Sequence, residues 1–152
     1  MPYRIHQVDW GSKDNPIRQI RERVFVFELN IPKSVEFDDR DNHALHFVAF
    51  DENGEPVATA RLCEDGLLGR IAVLPDHRNR GIYTEILEYV LSNAASCGFE
   101  FICINCVLDE VERFKKNGFS PCGCVFMEAG IPRQRLECPV SRCDSSPFTM
   151  VH

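Results

Sequence analysis

The residues from Gly69 to Tyr83 have the types and spacing of an anion-binding loop. An apolar run of strand length leads into a short segment with Arg78, Arg80 and Gly81, and a long stretch of helical periodicity follows. The first N–H groups of a helix lack partners within it and, with the helix dipole, attract negative charge. Because glycine allows close backbone approach, we expect this loop to bind a phosphate or pyrophosphate group. Taken alone, the pattern also fits a helix N-terminus with solvated arginines.

Eight cysteines raise the question of a metal site or a disulfide framework. Cys103 and Cys106 are three residues apart in an apolar run of strand character. Their side chains would therefore point to opposite faces of a sheet and not converge on one ion. The other close cysteine spacings are not those of a zinc knuckle. We predict no metal site, and free thiols in a reducing compartment.

Apolar periodicity and turn signals predict the element order β-α-β-β-β-α-β-α-β. Asn15 and Pro16 form a helix start, and the apolar positions after them recur at helical spacing. Asn53-Gly54 between two strand-like runs predicts a hairpin. The predicted strands are Tyr3–Val8, His46–Asp51, Pro56–Cys63, Leu67–Leu74, Phe99–Val107 and Phe119–Glu128.

A hairpin meander followed by βαβ units predicts an α/β (α+β) fold, with a central mixed sheet flanked by helices. The polar segment 33–43 is predicted as a loop, and Asp109 with Glu112 as the capping box of a short helix. Beyond Arg135 the pattern fades. We therefore assign residues 1–137 to a single domain and residues 138–152 to a loosely packed tail.

Composition limits the classes of partner. The chain has 152 residues, 44% of them hydrophobic and 26% charged, which fits one globular domain. A net charge of −6 without a basic run argues against a nucleic acid as partner. No apolar window has the length of a membrane span or a signal peptide, so we expect a cytoplasmic protein without a membrane partner.

Several short motifs resemble the GNAT (GCN5-related N-acetyltransferase) superfamily, and within it an ElaA-like branch. The cofactor motif of the superfamily, Gln/Arg-x-x-Gly-x-Gly/Ala after a strand, is matched by Arg78-x-x-Gly81, with Tyr83 at the last position. Motifs similar to those of the branch follow in the right order. They are Val24-Phe25-Val26-Phe27-Glu28, Glu36-x-Asp38-x-x-Asp41-x-x-Ala44-x-His46, Ala60-Arg61-Leu62, Gly118-Phe119 and Glu128-x-Gly130-Ile131-Pro132.

This resemblance implies the GNAT fold, with acetyl-CoA as co-substrate. It implies that amides of the loop hold the CoA pyrophosphate, and that the strand before it pairs with pantetheine and polarises the thioester carbonyl. It also implies a position, here Phe114, at which the family commonly has a Tyr that protonates the leaving thiolate. The residues expected to contact the co-substrate are Ile71, Ala72, Val73, Arg78, Asn79, Arg80, Gly81, Ile82, Tyr83 and Phe114.

Departures from the family pattern bear on activity. Tyr83 could crowd the phosphate or the pantetheine arm, or it could point away from the loop. Phe114 has no proton to donate, and its structural interpretation is a core aromatic residue. General acid–base assistance contributes about 10²–10⁴-fold, so its loss would slow the reaction without ending it. Leu29, Val107 and Arg133 also depart from the branch and indicate a changed or absent acceptor specificity.

Acetyl transfer to an amine requires a neutral amine in line with the thioester and a base that takes its proton. Carboxylates near the end of the first helix and in the segment after it fit this role, together with one histidine. The candidates are Glu28, Asp38, Asp41 and His46. Glu28 is favoured because it lies at an otherwise apolar helix end, where a carboxylate would face a cavity. The alternatives are a solvated acidic loop and a structural histidine.

The sequence therefore predicts an N-acetyltransferase that moves an acetyl group from acetyl-CoA to a primary amine of a small molecule. The amine would attack directly, without a metal, in a site that works by positioning and oxyanion stabilisation. The alternative is a catalytically impaired protein of the same fold that binds CoA as a regulator or partner module. A homodimer is compatible with the sequence.

Overall fold

The computed structural model describes residues 3–11, 15–78 and 80–148. The strands are β1 (Arg4–Val8), β2 (Leu45–Phe50), β3 (Pro56–Leu62), β4 (Leu68–Val73), β5 (Phe101–Val107), β6 (Ser120–Glu128) and β7 (Ile131–Pro139). The α-helices are α1 (Pro16–Arg21), α2 (Lys33–Glu36), α3 (Ile82–Ser96) and α4 (Val111–Lys115). Short 3₁₀ turns cover Asp39–His43, Pro75–His77, Leu108–Glu110 and Val140–Arg142.

The strands form two antiparallel sheets that meet at one point. The first sheet has the order β1-β2-β3-β4 and the second β5-β7-β6. A parallel bridge joins Leu67, just before β4, to Cys103 in β5. Within the described residues no other pair joins β4 to β5, so these two edge strands start together and then separate. The predicted α/β fold is confirmed, and its mixed character comes from this single parallel junction.

Helices cover both faces of the first sheet. Along β2, Phe47 and Ala49 belong to the main core, whereas Val48 between them belongs to a second apolar cluster. Successive residues of a strand point to opposite faces, so the two clusters lie on opposite sides of the sheet. The apolar stripe of α3 fills the main core, and α1 contributes to the second cluster. None of the described helices has the length and apolar character that crossing a membrane requires.

The first helix begins as predicted and then changes its winding. The Asn15 side chain caps α1 by accepting a hydrogen bond from the Arg18 amide at 3.0 Å, and Pro16 occupies the first turn. From Glu22 to Glu28 the helix continues as a π-helix, closed by a bond from the Leu29 amide to the Val24 carbonyl oxygen. Such segments occur frequently at functional sites.

The capping box lies elsewhere than predicted. Asp109 falls inside the 3₁₀ turn before α4, and no described side chain caps that helix, so the prediction for Asp109 was wrong. Segment 33–43, predicted as a loop, contains α2 and a 3₁₀ turn. Its own capping box joins Asp38 and Asp41: the Asp38 side chain accepts from the backbone of the turn, and Asp41 accepts from the Asp38 amide at 3.2 Å.

The C-terminal part of the chain is more ordered than the sequence pattern indicated. The predicted element order lacks β7, the central strand of the second sheet, which continues past residue 137 to Pro139. Cys138 is completely buried, and Phe148 is only 8% exposed within the main core. The polar run Arg133-Gln134-Arg135 concealed this strand, because it lacks the alternation of apolar and polar residues that predicts a strand.

Candidate active site

A cavity of about 240 Å³ lies where β4 and β5 separate. Gly69, Arg70 and Ile71 line it from β4, and Ile104 and Asn105 line it from β5. Because the two strands are not paired here, the facing edges of both sheets are accessible to a ligand that can hydrogen-bond to backbone. The cavity is therefore the first candidate for an active site.

A β-bulge shapes the β4 side of this cavity. Thr59 pairs with Ala72 and Arg61 with Gly69, so two residues of β4 face one residue of β3. Arg70 has a positive φ of 49°, which costs about 1–3 kcal/mol for a residue other than glycine. Bulges of this kind redirect the backbone and are common beside active sites.

The Arg70 side chain holds the bulge in place. Its Nε donates to the Glu36 carbonyl oxygen at 3.1 Å, and Nη2 donates to Asp38 Oδ2 at 3.1 Å. The guanidinium thus ties the strained part of β4 to the segment after α2. This arrangement keeps the backbone from Ile71 onward at the cavity edge.

The loop before α3 has the geometry of an anion site. Gly81 is the N-cap of α3, with φ 80° and ψ −2°, a conformation that favours glycine. In the part of the chain that the structure describes, no heavy atom beyond the two chain neighbours of Gly81 lies within 4 Å of where a Cβ would stand. No described side chain caps the first turn, which leaves its N–H groups available. Arg80 is exposed beside it, and the predicted Asn79 lies outside the described residues.

Arg78 braces the loop. Its Nη1 and Nη2 each donate to the Glu28 carboxylate at 2.7 Å, and its Nε donates to the Val73 carbonyl oxygen at 2.9 Å. The hydrogen bonds from Arg78 hold the pKa of Glu28 below its usual value. Glu28 is therefore a carboxylate paired with a guanidinium, and unlike Asp38 it is not among the residues that line the cavity.

The buried Arg21 side chain anchors the acidic residues Glu36 and Asp41. It is completely buried, and it donates to Glu36 Oε2 and Asp41 Oδ1, both at 2.7 Å. Burial raises the pKa of Asp41, but the hydrogen bonds and charges of Arg21 and Arg61 outweigh it and leave the pKa below its usual value. Asp41 is thus a structural anion with no access to the cavity surface.

Asp38 reaches the cavity. It lines the wall and accepts hydrogen bonds from Arg61 at 2.7 Å and from Arg70 at 3.1 Å. Its side chain retains 32% exposure, compared with 1% for Asp41. Of the predicted acid–base candidates, Asp38 is the one that the structure brings to the cavity.

His46 lies in a buried aromatic environment. Its Nε2 donates to the Asp41 carbonyl oxygen at 2.9 Å, and its ring stacks on Trp10 with centroids 4.8 Å apart. Burial lowers the pKa of His46, which keeps the ring neutral near pH 7. These contacts fit a structural histidine, which was the alternative to a catalytic base.

The last position of the cofactor motif, Tyr83, and the expected position of the general acid, Phe114, both lie in the main core. Tyr83 is 9% exposed, and burial raises its pKa. Phe114 is completely buried, and its ring makes edge-to-face contacts with Phe119 and Phe148 at centroid distances of 5.2 Å each. Ile82, next to Tyr83, is also buried. Phe148 comes from the C-terminal segment and lines the same cavity.

Two further charged residues of the cavity had not been predicted as site residues. Glu128 ends β6, and Arg133 lies on β7 just after the connecting turn. Both were visible in the sequence, Glu128 as the start of a branch motif and Arg133 as a departure from it. Only the pairing of β7 with β5 shows that both residues face one cavity.

The cysteines take no part in this site. All are free thiols, and Cys103 and Cys106 belong to different core clusters, as expected for opposite faces of a strand. Burial raises the pKa of the Cys106 thiol to about 11, so this thiol is protonated at neutral pH. Among the described residues no group of His, Cys, Asp or Glu is arranged to hold a metal ion.

A family model and a curated relative both relate this chain to N-acetyltransferases. The model of the acetyltransferase (GNAT) family matches residues 14–119. The uncharacterized N-acetyltransferase YjcF of Bacillus subtilis (strain 168) is 34% identical over 121 residues, covering 77% of this chain and 86% of that protein.

Solved structures share the fold at lower identity. A putative N-acetyltransferase from Lactobacillus plantarum superposes with a TM-score of 0.76 at 22% identity, over 92% of this chain and 99% of that one. Escherichia coli ElaA gives 0.71 at 20% identity, over 91% and 99%. A GNAT family acetyltransferase from Elizabethkingia anophelis, solved with acetyl-CoA bound, gives 0.62 at 16% identity, over 91% and 98%.

Proposed function

The chain belongs to the acetyltransferase (GNAT) family, and we propose that it transfers an acetyl group from acetyl-CoA to a primary amine of a small molecule. One observation carries this proposal: β4 and β5 separate around a cavity, next to a bulge and a loop whose helix N-terminus is open to an anion. The Elizabethkingia structure, of the same fold, holds acetyl-CoA. The free cysteines agree with a reducing compartment such as the cytoplasm.

The phosphate end of acetyl-CoA fits the residues present. Gly81, with space around it and a left-handed backbone, lets a pyrophosphate approach the first N–H groups of α3. Arg80 adds positive charge from the surface, and Ile82 and Tyr83 supply backbone amides while their side chains stay in the core. When bound, acetyl-CoA supplies an activated acetyl group as a thioester.

The acetyl end is proposed to lie against β4. The bulge at Arg70 leaves the backbone of Ile71, Ala72 and Val73 beside the unpaired edge of the sheet. An N–H group there, aimed at the thioester oxygen, would stabilise the negative charge that develops as the amine attacks. Because this donor belongs to a braced strand, little reorganisation is needed during the reaction.

The amine is proposed to enter from the cavity side and to lose its proton toward Asp38. This carboxylate lines the cavity and is held in place by Arg61 and Arg70. Glu28, Asp41 and His46 then act as positioning residues: Glu28 through Arg78, and Asp41 and His46 through the buried network. Phe114 contributes packing in place of a general acid, since a thiolate can be protonated by solvent.

An amine screen tests the proposed function. Purified protein is incubated with acetyl-CoA and a panel of amines, and both CoA and acetylated products are measured by liquid chromatography with mass detection. Thiol-reactive dyes are avoided because the chain has eight cysteines. A product that requires protein, acetyl-CoA and amine supports the proposal. Tight binding of acetyl-CoA without turnover of any amine would instead favour the impaired CoA-binding alternative.

A further inference from the structure

The two walls of the cavity differ in how their charges are balanced. On the β4 side, Asp38 binds two guanidiniums, each within 3.1 Å. On the opposite wall the charged pair is Glu128 and Arg133, and its closest approach, between Oε1 and Nε, is 3.4 Å. Their side chains are 37% and 18% exposed. This pair is therefore the loosest ionic contact of the cavity wall.

One nitrogen of the Arg133 guanidinium forms a hydrogen bond to backbone, and another has no hydrogen-bond partner among the described residues. Its Nη1 donates to the Asn105 carbonyl oxygen of β5 at 2.9 Å. Its Nε is buried and has no hydrogen-bond partner among the described residues. A buried donor without an acceptor is destabilising, so an additional acceptor at this point would be favourable. Glu128, at the tip of the hairpin, is close to Nε but is not aligned to accept from it.

We propose that the Glu128–Arg133 pair recognises an acceptor that carries both an amine and a carboxylate, such as a free amino acid. The acceptor carboxylate would displace the Glu128 carboxylate from Nε of Arg133 and accept hydrogen bonds there. The ammonium group would then lie between Glu128 and Asp38 across the cavity, so that Asp38 can take its proton before the attack. A zwitterion has no net charge, so it would replace an ion pair without leaving a charge unbalanced in the cavity. This inference rests on the proposed acetyltransferase function and names its substrate class.

Matched acceptors test this substrate class. Each amino acid of a panel is compared with its amide and with the amine that lacks the carboxyl group, and kcat/KM is measured at saturating acetyl-CoA. We expect the free amino acid to be preferred over its amide by about ten- to hundredfold, the range for a lost charged hydrogen bond. Equal rates for the three forms would overturn the inference while leaving the proposed function intact.

Variants identify the responsible side chain. Arg133→Gln should remove the preference by lowering kcat/KM for the amino acid about ten- to hundredfold more than for the simple amine, because only the amino acid has the charged partner. Glu128→Gln should lower kcat/KM for both. An equal loss with both acceptors in Arg133→Gln, at an unchanged KM for acetyl-CoA, would show a structural role and contradict the inference. No turnover of any amine would contradict the proposed function itself.

The C-terminal segment 143–148 packs against α3 and α4. Phe148 is buried against Phe114 and Phe119, at centroid distances of 5.2 and 6.1 Å. Arg113 of α4 donates to the Pro147 carbonyl oxygen, and Ser145 Oγ lies 3.4 Å from the Glu88 carboxylate of α3. The segment therefore contacts both α3 and α4, and it places one aromatic ring against Phe114 and Phe119.

We infer that segment 143–148 competes with acetyl-CoA for the cofactor side of the cleft. The family resemblance implies that the leaving thiol lies beside Phe114, and the Phe148 ring is in contact with this residue. The same ring lines the cavity between the strands. The apparent dissociation constant of a ligand is the intrinsic value divided by the competent fraction of the protein. If the segment occupies the cleft in about 90–99% of molecules, it weakens acetyl-CoA binding by about ten- to hundredfold.

Proteolysis of the wild-type chain tests this competition without any variant. Carboxypeptidase digestion is followed by intact-mass measurement, with and without acetyl-CoA, and the loss of residues 144–148 is timed. We expect acetyl-CoA to accelerate this loss by about tenfold or more, because the displaced segment is accessible. Digestion that is unchanged or slowed at saturating acetyl-CoA would overturn the inference.

Calorimetric titration provides a second test. Phe148→Ala and a chain that ends after Cys143 should bind acetyl-CoA about tenfold tighter or more than the full chain. Phe101→Ala, which alters an exposed phenylalanine at the start of β5, serves as the matched control and should bind like wild type. Unchanged affinity in folded Phe148→Ala would contradict the competition. Absence of binding in every form would contradict the proposed function.

Discussion

Glu28 accepts a hydrogen bond at 2.7 Å from each terminal nitrogen of Arg78, and the same guanidinium donates to the Val73 carbonyl oxygen at 2.9 Å. Three separate parts of the chain meet at this point: the end of the π-helix, the end of β4 and the loop before α3. The contact thus links the segment proposed to bind phosphate to the strand proposed to bind the acetyl group. Its disruption should change substrate affinity more than it changes stability.

Glu28→Gln separates bracing from base catalysis. The pair is partly exposed to solvent, so we expect the free energy of unfolding in urea to change by less than about 1 kcal/mol. Loss of the brace should raise the KM for acetyl-CoA several-fold with little change in kcat. A base would behave differently: kcat would fall by about 10²–10⁴-fold at an unchanged KM for acetyl-CoA. Steady-state kinetics with acetyl-CoA as the varied substrate distinguishes the two.

Arg21→Met should destabilise the fold strongly. The substitution leaves the buried carboxylates of Glu36 and Asp41 without their shortest ionic contacts. Removal of one partner from a buried ionic group typically costs about 3–5 kcal/mol. Arg23→Met, at an exposed position of the same helix, is the matched control and should change little. Urea unfolding measures the free energy of unfolding of both variants. A loss below about 1 kcal/mol for Arg21→Met would show that the remaining arginines are enough to stabilise the two buried carboxylates.

Stability should depend on pH through His46. Burial lowers the pKa of this histidine in the folded state, so the unfolded chain takes up the proton first as the pH falls. The stabilisation is complete above the unfolded pKa, about 6.5, and is lost as the pH falls toward the folded pKa.

The melting temperature of wild type should therefore drop between pH 7 and pH 5, and His46→Gln should flatten this part of the profile. The maximum slope for one proton is about 1.4 kcal/mol per pH unit. His6→Gln, at an exposed histidine, should retain the wild-type profile. An identical drop in His46→Gln would assign the pH dependence to other groups.

The effect of Phe114→Tyr on stability and on kcat should depend on the C-terminal segment 143–148. In the full chain the new hydroxyl would enter a ring cluster that Phe148 closes, so we expect lower stability and no gain in kcat. In the chain that ends after Cys143, the hydroxyl can approach the leaving thiolate, and kcat should rise, by up to about 10²-fold. Single-turnover rates in both backgrounds measure this, and an equal effect in the two would argue against any link between Phe114 and the segment.

Elements with local signals were predictable from the sequence. The cap formed by Asn15 and Pro16 and the hairpin at Asn53-Gly54 depend on a few adjacent residues, and both occur where predicted. The loop with Gly81 was recognised for the same reason, because its backbone conformation needs glycine. Local chemistry therefore accounts for most of the elements around the cavity.

Contacts between distant residues were not predictable. Glu28 and Arg78 are 50 residues apart, and only the fold shows that one neutralises the other. Asp41 was grouped with Asp38 as a candidate base, but their exposure differs because Arg21 draws Asp41 into the interior. Phe148 lies in a segment without periodicity, and its burial depends on packing against Phe114 and Phe119, which are distant in the sequence. A single sequence has no signal for such docking.

The most direct test of the account is a thermal-shift titration with acetyl-CoA, with ADP as the control for phosphate binding alone. It is performed on the full chain and on the chain that ends after Cys143. Ligand at about 100 times its dissociation constant should add about 2.7 kcal/mol of stability. We predict a shift with acetyl-CoA well beyond that with ADP, and a larger one without the C-terminal segment. Equal shifts with acetyl-CoA and ADP in both chains would contradict the proposed acetyltransferase site.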